Sequence, residues 1–341
     1  MNFINKYITS LAVLYCCLIT AQNSNAQGWQ WARNATGTIG VDSWSTATDA
    51  TGNIYAGGLA DAGGIPGGDT LDFGSGVSLS SVGNSIWVKY SNSGTPLWAG
   101  CTDGYLSNIA VDPSGNLILF GIFFSDTMHI GTFTLTNAYG TAFVSQYFLA
   151  KVSPSGTVLW AINDGSTYYD MGYPPLDNGG VTTDTAGNIY ITSCFYKPTM
   201  TIGATTLTNT DPSGYSYDIF VAKYSPTGIP LWASSIGGIY SDFSYGIIVA
   251  PSGDVYITGN FDSPSIPVGT GTLSNPYSIG LTRVPLAYIA KFSSTGVPLW
   301  GQSGGGINGA SGAAFAKDND GNIYMIGNFN DTSISLGPKT Q

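Results

Sequence analysis

Apolar and polar positions alternate along this chain in short runs, and the runs return in the same order. IFVAKYSPTGIPLWA (219–233) has near copies in IWVKYSNSGTPLWA (86–99), FLAKVSPSGTVLWA (148–161) and YIAKFSSTGVPLWG (288–301). Each copy is a period-two run, a Ser-x-x-Gly turn and a second short run holding Leu-Trp, which predicts a β-hairpin. A second phrase recurs between these copies: TATDATGNIYAGG (46–58), IAVDPSGNLILFG (109–121), TTDTAGNIYITS (182–193), IIVAPSGDVYITG (247–259) and AFAKDNDGNIYMIG (314–327). It predicts five more hairpins, each turning on Asp-x-x-Gly-Asn, where the Asp carboxylate bonds its own turn and Gly takes the positive φ. Once, Ala250 replaces the first Asp.

Between the two hairpins lies a looser connector with its own echo, LDFG (71–74), MHIG (128–131), MTIG (200–203), IPVG (266–269) and ISLG (334–337), expected as short extra strands or a small protruding hairpin. Trp31, Trp98, Trp160, Trp232 and Trp300 recur at intervals of 62 to 72 residues. Four short strands per unit at such a period predict an all-β fold, a β-propeller of four-stranded antiparallel blades with five repeats visible and the last incomplete. Strands A to D are the two arms of the Asp-x-x-Gly-Asn hairpin followed by the two arms of the Leu-Trp hairpin. Antiparallel order puts the tight A–B and C–D turns on one face and every long B–C and D–A connection on the other. After Lys89, Lys151, Lys223 and Lys291 of strand C, the next equivalent falls beyond residue 341. The expectation is therefore a C-terminally truncated piece of a longer array, with a five-repeat protein as the alternative. WQWA (29–32) is expected to serve as a strand D for a closing blade.

The combined pattern D-x-x-G-N-[IV]-Y-[IV]-T-G, a connector, then [IF]-V-A-K-Y-S-x-x-G-x-x-L-W-A resembles the SBBP (seven-bladed β-propeller) repeats of secreted proteins common in Bacteroidota. It covers residues 28–341. The resemblance implies an extracellular or surface propeller, often followed by a type IX secretion sorting domain, and brings no shared catalytic residues. The chain departs from that family in showing five partial-to-complete repeats and no sorting domain.

Composition agrees with strands and turns: 47 Gly and 17 Pro, with all 20 acidic residues Asp, so the helix former Glu is missing. Residues 1–26 read as a signal peptide, with Lys6, an apolar run Ile8 to Ala21 too short to span a bilayer, and Ser24-Asn25-Ala26 before Gln27. The array is then 27–341, secreted or at the cell surface, with no membrane insertion after signal cleavage. A formal net charge of −10 argues against nucleic acid as a partner. Cys16 and Cys17 leave with the signal. Cys101 and Cys194 fall at non-equivalent repeat positions, so two thiols are expected over a disulfide.

Catalytic chemistry finds little to use. The single His129 occupies a connector slot filled elsewhere by Asp72, Thr201, Pro267 and Ser335, so it is expected to face solvent. Asp318 and Asp320 begin a D-x-D-G run like a calcium loop, but it lacks the closing Glu and aligns with the other hairpin turns. Calcium there, or at Asp164, Asp170 and Asp177, is the lesser reading, and no cofactor is expected. The repeated Lys is expected to lay its stem on a neighbouring sheet and carry its ammonium to solvent or a turn Asp, and the repeated Trp to pack in the core or between blades. What remains is a long-loop face rich in aromatics: Tyr168, Tyr169, Asp170, Tyr173 and Asp177 in one loop, Tyr215 and Tyr217 in the next, then Tyr240, Tyr245 and Tyr277. Tyr beside Asp suits a glycan or an extracellular protein. The expectation is a monomeric, non-enzymatic binding or scaffold module. Alternatives are a polysaccharide hydrolase or lyase using Asp170 and Asp177, and a spacer with no ligand.

Overall fold

A computed structural model of the chain describes residues 31–61, 70–80, 82–137, 144–169, 179–211, 213, 216–280, 282–318, 320–331 and 335–336. Residues 1–30, and with them the expected signal peptide and Trp29–Gln30, lie outside that set. The chain divides into Met1–Asn34 and Ala35–Gln341. Of the first unit, Trp31 to Asn34 are described and belong to no strand.

The second unit is the expected repeat β-propeller fold. Strand A is Gly40–Thr48, Tyr105–Val111, Gly180–Thr183, Asp242–Val249 and Ala310–Lys317 in successive blades; strand B is Ile54–Asp61, Leu117–Phe123, Ile189–Phe195, Val255–Phe261 and Ile323–Phe329. Strand C is Ser85–Tyr90, Val144–Val152, Asp218–Tyr224 and Leu286–Phe292, and strand D is Pro96–Thr102, Val158–Tyr169, Pro230–Ile236 and Pro298–Gly305. Blades 1 to 4 carry these in the order A-B-C-D, and the fifth shows the A–B pair among the described residues. Every pairing is antiparallel, and the B–C register is the same from blade to blade: Tyr55 faces Lys89, Tyr190 faces Lys223 and Tyr256 faces Lys291.

The period-two pattern is spent between blades. One face of strands B and C in blade 3, Ile189, Ile191, Phe195, Phe220, Ala222 and Tyr224, closes on blade 2 through Ile118, Phe120, Tyr147 and Leu149. The other face, Tyr190, Ile219 and Val221, closes on blade 4 through Ile247, Val249, Val255 and Ile257. Strands B and C therefore bury both faces, which explains their near-continuous apolar runs. Each such layer removes large apolar area from water, on the order of 1.5–3 kcal/mol per buried Leu, Ile or Phe.

The A–B turns of blades 1, 3 and 5 share one bonding pattern. In blade 3, Asp184 Oδ1 accepts from the N–H of Ala186 and Asn188 at 2.9 Å, and Oδ2 accepts from Asn188 Nδ2 at 2.8 Å and Tyr190 Oη at 3.0 Å. The strand-C lysine completes the arrangement, with Lys89 3.5 Å from Asp49, Lys151 2.7 Å from Asp112 and Lys223 3.8 Å from Asp184. Blade 4, with Ala250 in the Asp slot, keeps the ion pair by another route. Asp254, standing where the other turns have Asn, lies 2.8 Å from Lys291.

The C–D turn binds the preceding blade. Trp98 Nε1 donates to Pro154 O at 2.9 Å and Trp232 Nε1 to Ser294 O at 3.1 Å. The turn glycine lies beneath the indole: a Cβ on Gly156 would stand 3.0 Å from Trp98, and one on Gly296, at φ +85°, 2.5 Å from Trp232. The Ser-x-x-Gly phrase thus serves the neighbour's Trp as well as its own hairpin.

The connectors are hairpins, Thr70–Gly74 with Val77–Ser80, Thr127–Ile130 with Phe133–Thr136, Thr199–Ile202 with Thr205–Thr208, and Ser265–Val268 with Gly271–Ser274, and Thr36–Gly37 pairs with Thr70–Gly74 as a third strand of the first. They do not protrude. Ile130 pairs with Thr102 at the strand D edge of blade 1, and Thr102 Oγ1 donates to His129 O at 2.7 Å. The hairpin tip reaches strand D of its own blade, where Gly131 meets Val158 and Gly203 meets Pro230. At Thr102 the connector thus takes up part of the edge pairing that strand D would otherwise offer. In blade 5, Ser335–Leu336 pairs in the same way with Gly304–Gly305.

Candidate functional site

The sequence-predicted aromatic loop residues do not form one platform among the described residues. Tyr168 and Tyr169 are in strand D of blade 2, not in a loop: their backbones pair with Ser145 and Val144. Asp170, Tyr173, Asp177 and Tyr215 lie outside the described residues. Tyr217 is half-buried, with its ring 4.8 Å from that of Tyr196 and 5.4 Å from that of Phe243, so it packs the loop down. Tyr245 donates to Asn260 Oδ1 at 2.6 Å, and Tyr277 packs against the core between blades 3 and 4.

The neighbouring loops instead build a cavity of about 360 Å³ between blades 3 and 4 on the long-loop face. Asp211 and Ser216 come from the B–C connection of blade 3, Ile239, Tyr240 and Ser241 from the D–A connection, and Asp262 and Arg283 from the B–C connection of blade 4. Arg283 lies flat on Tyr240 with Cζ 3.2 Å from the ring centroid. Its Nη1 donates to Gly280 O at 2.7 Å, and Tyr240 Oη donates to the same carbonyl at 3.3 Å. Burial raises Asp262 above the usual carboxylate range, against the pull of Arg283. Ser216 is buried, lines the cavity, and its Oγ has no hydrogen-bond partner. Ile239, also in the lining, is exposed.

Beneath this cavity two carboxyls hold the loops. Asp242 is fully buried; it accepts from Gly238 N and Ser263 Oγ on Oδ2 at 2.8 and 2.9 Å, and from Asp262 N and Ser263 N on Oδ1 at 3.2 Å each. Asp218 accepts from Thr210 N at 2.7 Å, while its buried Oδ1 has no partner. Burial pushes Asp218 up to about 6, and burial with the nearby Asp218 charge pushes Asp242 up to about 7. Sealed from solvent, this pair positions the D–A connection; it has no path to a substrate.

A second cavity, of about 610 Å³, opens where the A–B turns of blades 1 to 4 converge, with Lys317 at its edge. Asp49, Asp112 and Asp184 border it, but their carboxylates are engaged by their own turns and the strand-C lysines. Asp318 holds the fifth turn, accepting from Asp320 N at 3.0 Å and Asn322 N at 2.8 Å. No group of three or more His, Cys and Asp side chains able to hold a metal ion occurs among the described residues. His129 is exposed, as its slot suggested, with Nδ1 3.1 Å from Asp103. Cys101 and Cys194 are not joined by a disulfide; Cys194 is buried in strand B of blade 3, and its carbonyl accepts from Tyr147 Oη.

Sequence reasoning named Tyr240 but missed Arg283 and Asp262, which the B–C connection of blade 4 brings to it. A usable signal was present, since Arg283 is one of two arginines in the chain and sits in a long connection.

No family model matches the chain. Over 296 residues, 73% of this chain, it is 23% identical to an uncharacterised WD repeat-containing protein of Acanthamoeba polyphaga mimivirus. The chain spans about a fifth of that protein, 21% of its length. Sequence similarity to a repeat protein and the A-B-C-D blades together make this a protein of the repeat β-propeller type.

Proposed function

We propose that the chain is a non-enzymatic binding module that takes an extracellular protein ligand on its long-loop face, at the cavity around Tyr240 and Arg283. The observation that carries this reading is the composition of that cavity. Asp211, Asp262 and Arg283 line it together, a buried Ser216 hydroxyl awaits a partner, and Ile239 offers exposed apolar surface. Aromatic and Arg anchors with apolar neighbours are the usual make-up of protein interface centres. A glycan would need an open aromatic face, and Arg283 already covers one face of Tyr240. The hydrolase or lyase reading rests on Asp170 and Asp177, and the raised Asp218 and Asp242 are too deeply buried to serve it. Secretion through the leader at residues 1–26, and membership of the SBBP type of Bacteroidota, belong to the same proposal and rest on the motif resemblance.

The test is binding by the full chain to a panel of extracellular proteins and to a glycan array, repeated with Tyr240→Ala, Arg283→Ala and Asp262→Asn. Each substitution is expected to weaken a protein ligand about tenfold or more. Binding that all three leave unchanged removes the cavity from the reading, and glycans as the sole ligands would replace the protein partner.

A further inference from the structure

The cavity around Tyr240 holds more negative charge than its one guanidinium balances. Asp211 and Asp262 line it with Arg283, and Asp218 and Asp242 lie beneath it. Among the described residues, none of Asp218, Asp242 and Asp262 forms an ion pair with a lysine or arginine. Lys89, Lys151, Lys223 and Lys291 are committed to the A–B turns on the opposite face.

The four carboxyls differ in what they can still accept. Both oxygens of Asp242 are filled by its four donors, and Asp218 is sealed below the lining. Asp211 accepts from Ser213 N at 3.0 Å and Ser213 Oγ at 2.7 Å. Asp262 is anchored through its backbone N–H, which donates to Asp242 Oδ1, while its half-buried carboxyl accepts no hydrogen bond among the described residues. That carboxyl stays above the usual range in spite of Arg283, as a buried charge short of a counter-ion does. Arg283 is held elsewhere: it lies on the Tyr240 ring, and its Nη1 donates to Gly280 O at 2.7 Å and Thr282 O at 3.3 Å. A second acceptor in the same lining, the buried Ser216 Oγ, has no partner.

We propose that this cavity is a socket for the cationic side chain of a lysine or arginine on the protein ligand, with Asp262 as its counter-ion and Ser216 Oγ as a second acceptor. The socket rests on the binding site proposed above and names what enters it. Exposed Ile239 gives the aliphatic stem of such a side chain an apolar wall. A calcium ion takes roughly six to eight oxygens, far more than Asp262, Ser216 and the already bonded Asp211 offer. An anionic group would meet Arg283 only in the company of Asp211 and Asp262. The formal net charge of −10 also draws cationic partners to the chain.

The probes are Nα-acetyl-lysine and Nα-acetyl-arginine methylamides against their neutral isosteres, the norleucine and citrulline methylamides, titrated into the full chain at low salt and followed by NMR. The cations should bind in the roughly millimolar range, about tenfold or more tighter than the isosteres. Asp262→Asn keeps the backbone bond to Asp242 and should abolish that preference, and Ser216→Ala should weaken both cations about threefold. Asp103→Asn removes an exposed carboxylate outside the cavity and should leave the preference unchanged, which separates a local counter-ion from overall charge. Equal binding of the isosteres, no binding of the cations, a preference that survives Asp262→Asn, or acetate entering in place of the cations each overturns the socket. A protein ligand weakened by Tyr240→Ala but not by Asp262→Asn leaves the site standing and overturns the socket alone. One indifferent to Tyr240→Ala, Arg283→Ala and Asp262→Asn overturns the site as well.

Discussion

At the scale of single residues, charge in this chain is used locally, and two sites let that use be measured. Lys291 and Asp254 form the blade 4 ion pair that Ala250 would otherwise have cost, and the Lys291 contact lowers the Asp254 carboxyl while Asp254 raises Lys291. Asp254→Asn should lower stability by about 1 kcal/mol or less, and adding Ala250→Asp should restore most of it by rebuilding the common turn. A double variant no more stable than Asp254→Asn in urea unfolding would show that the two carboxylate positions are not interchangeable. Asp218 is the opposite case. Its unfolded carboxyl titrates near 3.8 and its folded one near 6, so well below pH 4 it is protonated in both states. As pH rises from about 4 to 6 the unfolded chain gives up its proton first, and stability falls. Asp112 has the other sign: burial would raise it, but the Lys151 and Asn116 bonds outweigh burial, so its contribution is present above about pH 4 and fades at more acid pH. Asp218→Asn keeps an acceptor for Thr210 N–H and removes the buried charge. It should flatten the stability loss between pH 4 and 6 and raise stability at pH 8 by on the order of 1–3 kcal/mol. Parallel thermal midpoint curves for the two proteins across that range would refute the account.

At the scale of elements, the unit that matters is the C–D turn with the Trp of the blade before it. Gly296→Ala adds a methyl 2.5 Å from the Trp232 ring at φ +85°, so it should destabilise by about 2 kcal/mol or more and alter Trp232 fluorescence. In Trp232→Leu the glycine change should cost clearly less, about 1 kcal/mol of backbone strain, because the clash is gone. Equal costs in both backgrounds would mean that the turn conformation alone requires the glycine. These elements were legible in the sequence because their reasons are local: alternation for the strands, Asp-x-x-Gly-Asn and Ser-x-x-Gly for the turns. The illegible parts depend on neighbours one blade away. Nothing within MHIG says that Ile130 will pair with Thr102, and nothing within the 164–180 segment says that strand D will run on to Tyr169. The cavity at Tyr240 is of the same kind, because Asp211, Tyr240 and Arg283 meet through three connections with no shared motif.

At the scale of the molecule, the array is a series of interfaces, and stability in such a series is the sum of units and their contacts, not a single global property. The layers between blades 1 and 2, 2 and 3, and 3 and 4 are each continuous buried clusters. In strand B of blades 2 and 3 every residue is buried, whereas Ile323–Phe329 is half to fully exposed along its length. The proposed ligand cavity sits over the blade 3–4 layer, where Asp242 ties the loops to the sheet with four hydrogen bonds, so its shape is held by a buried core layer. Native-state hydrogen exchange should therefore grade along the chain. Leu117–Phe123 and Ile189–Phe195 should exchange slowest, at or near the global unfolding rate, and Ile323–Phe329 faster by roughly two orders of magnitude or more. Chemical denaturant should erase the difference only as the inner blades begin to open. Uniform protection from blade 2 through blade 5 would mean that the last hairpin unfolds only with the rest.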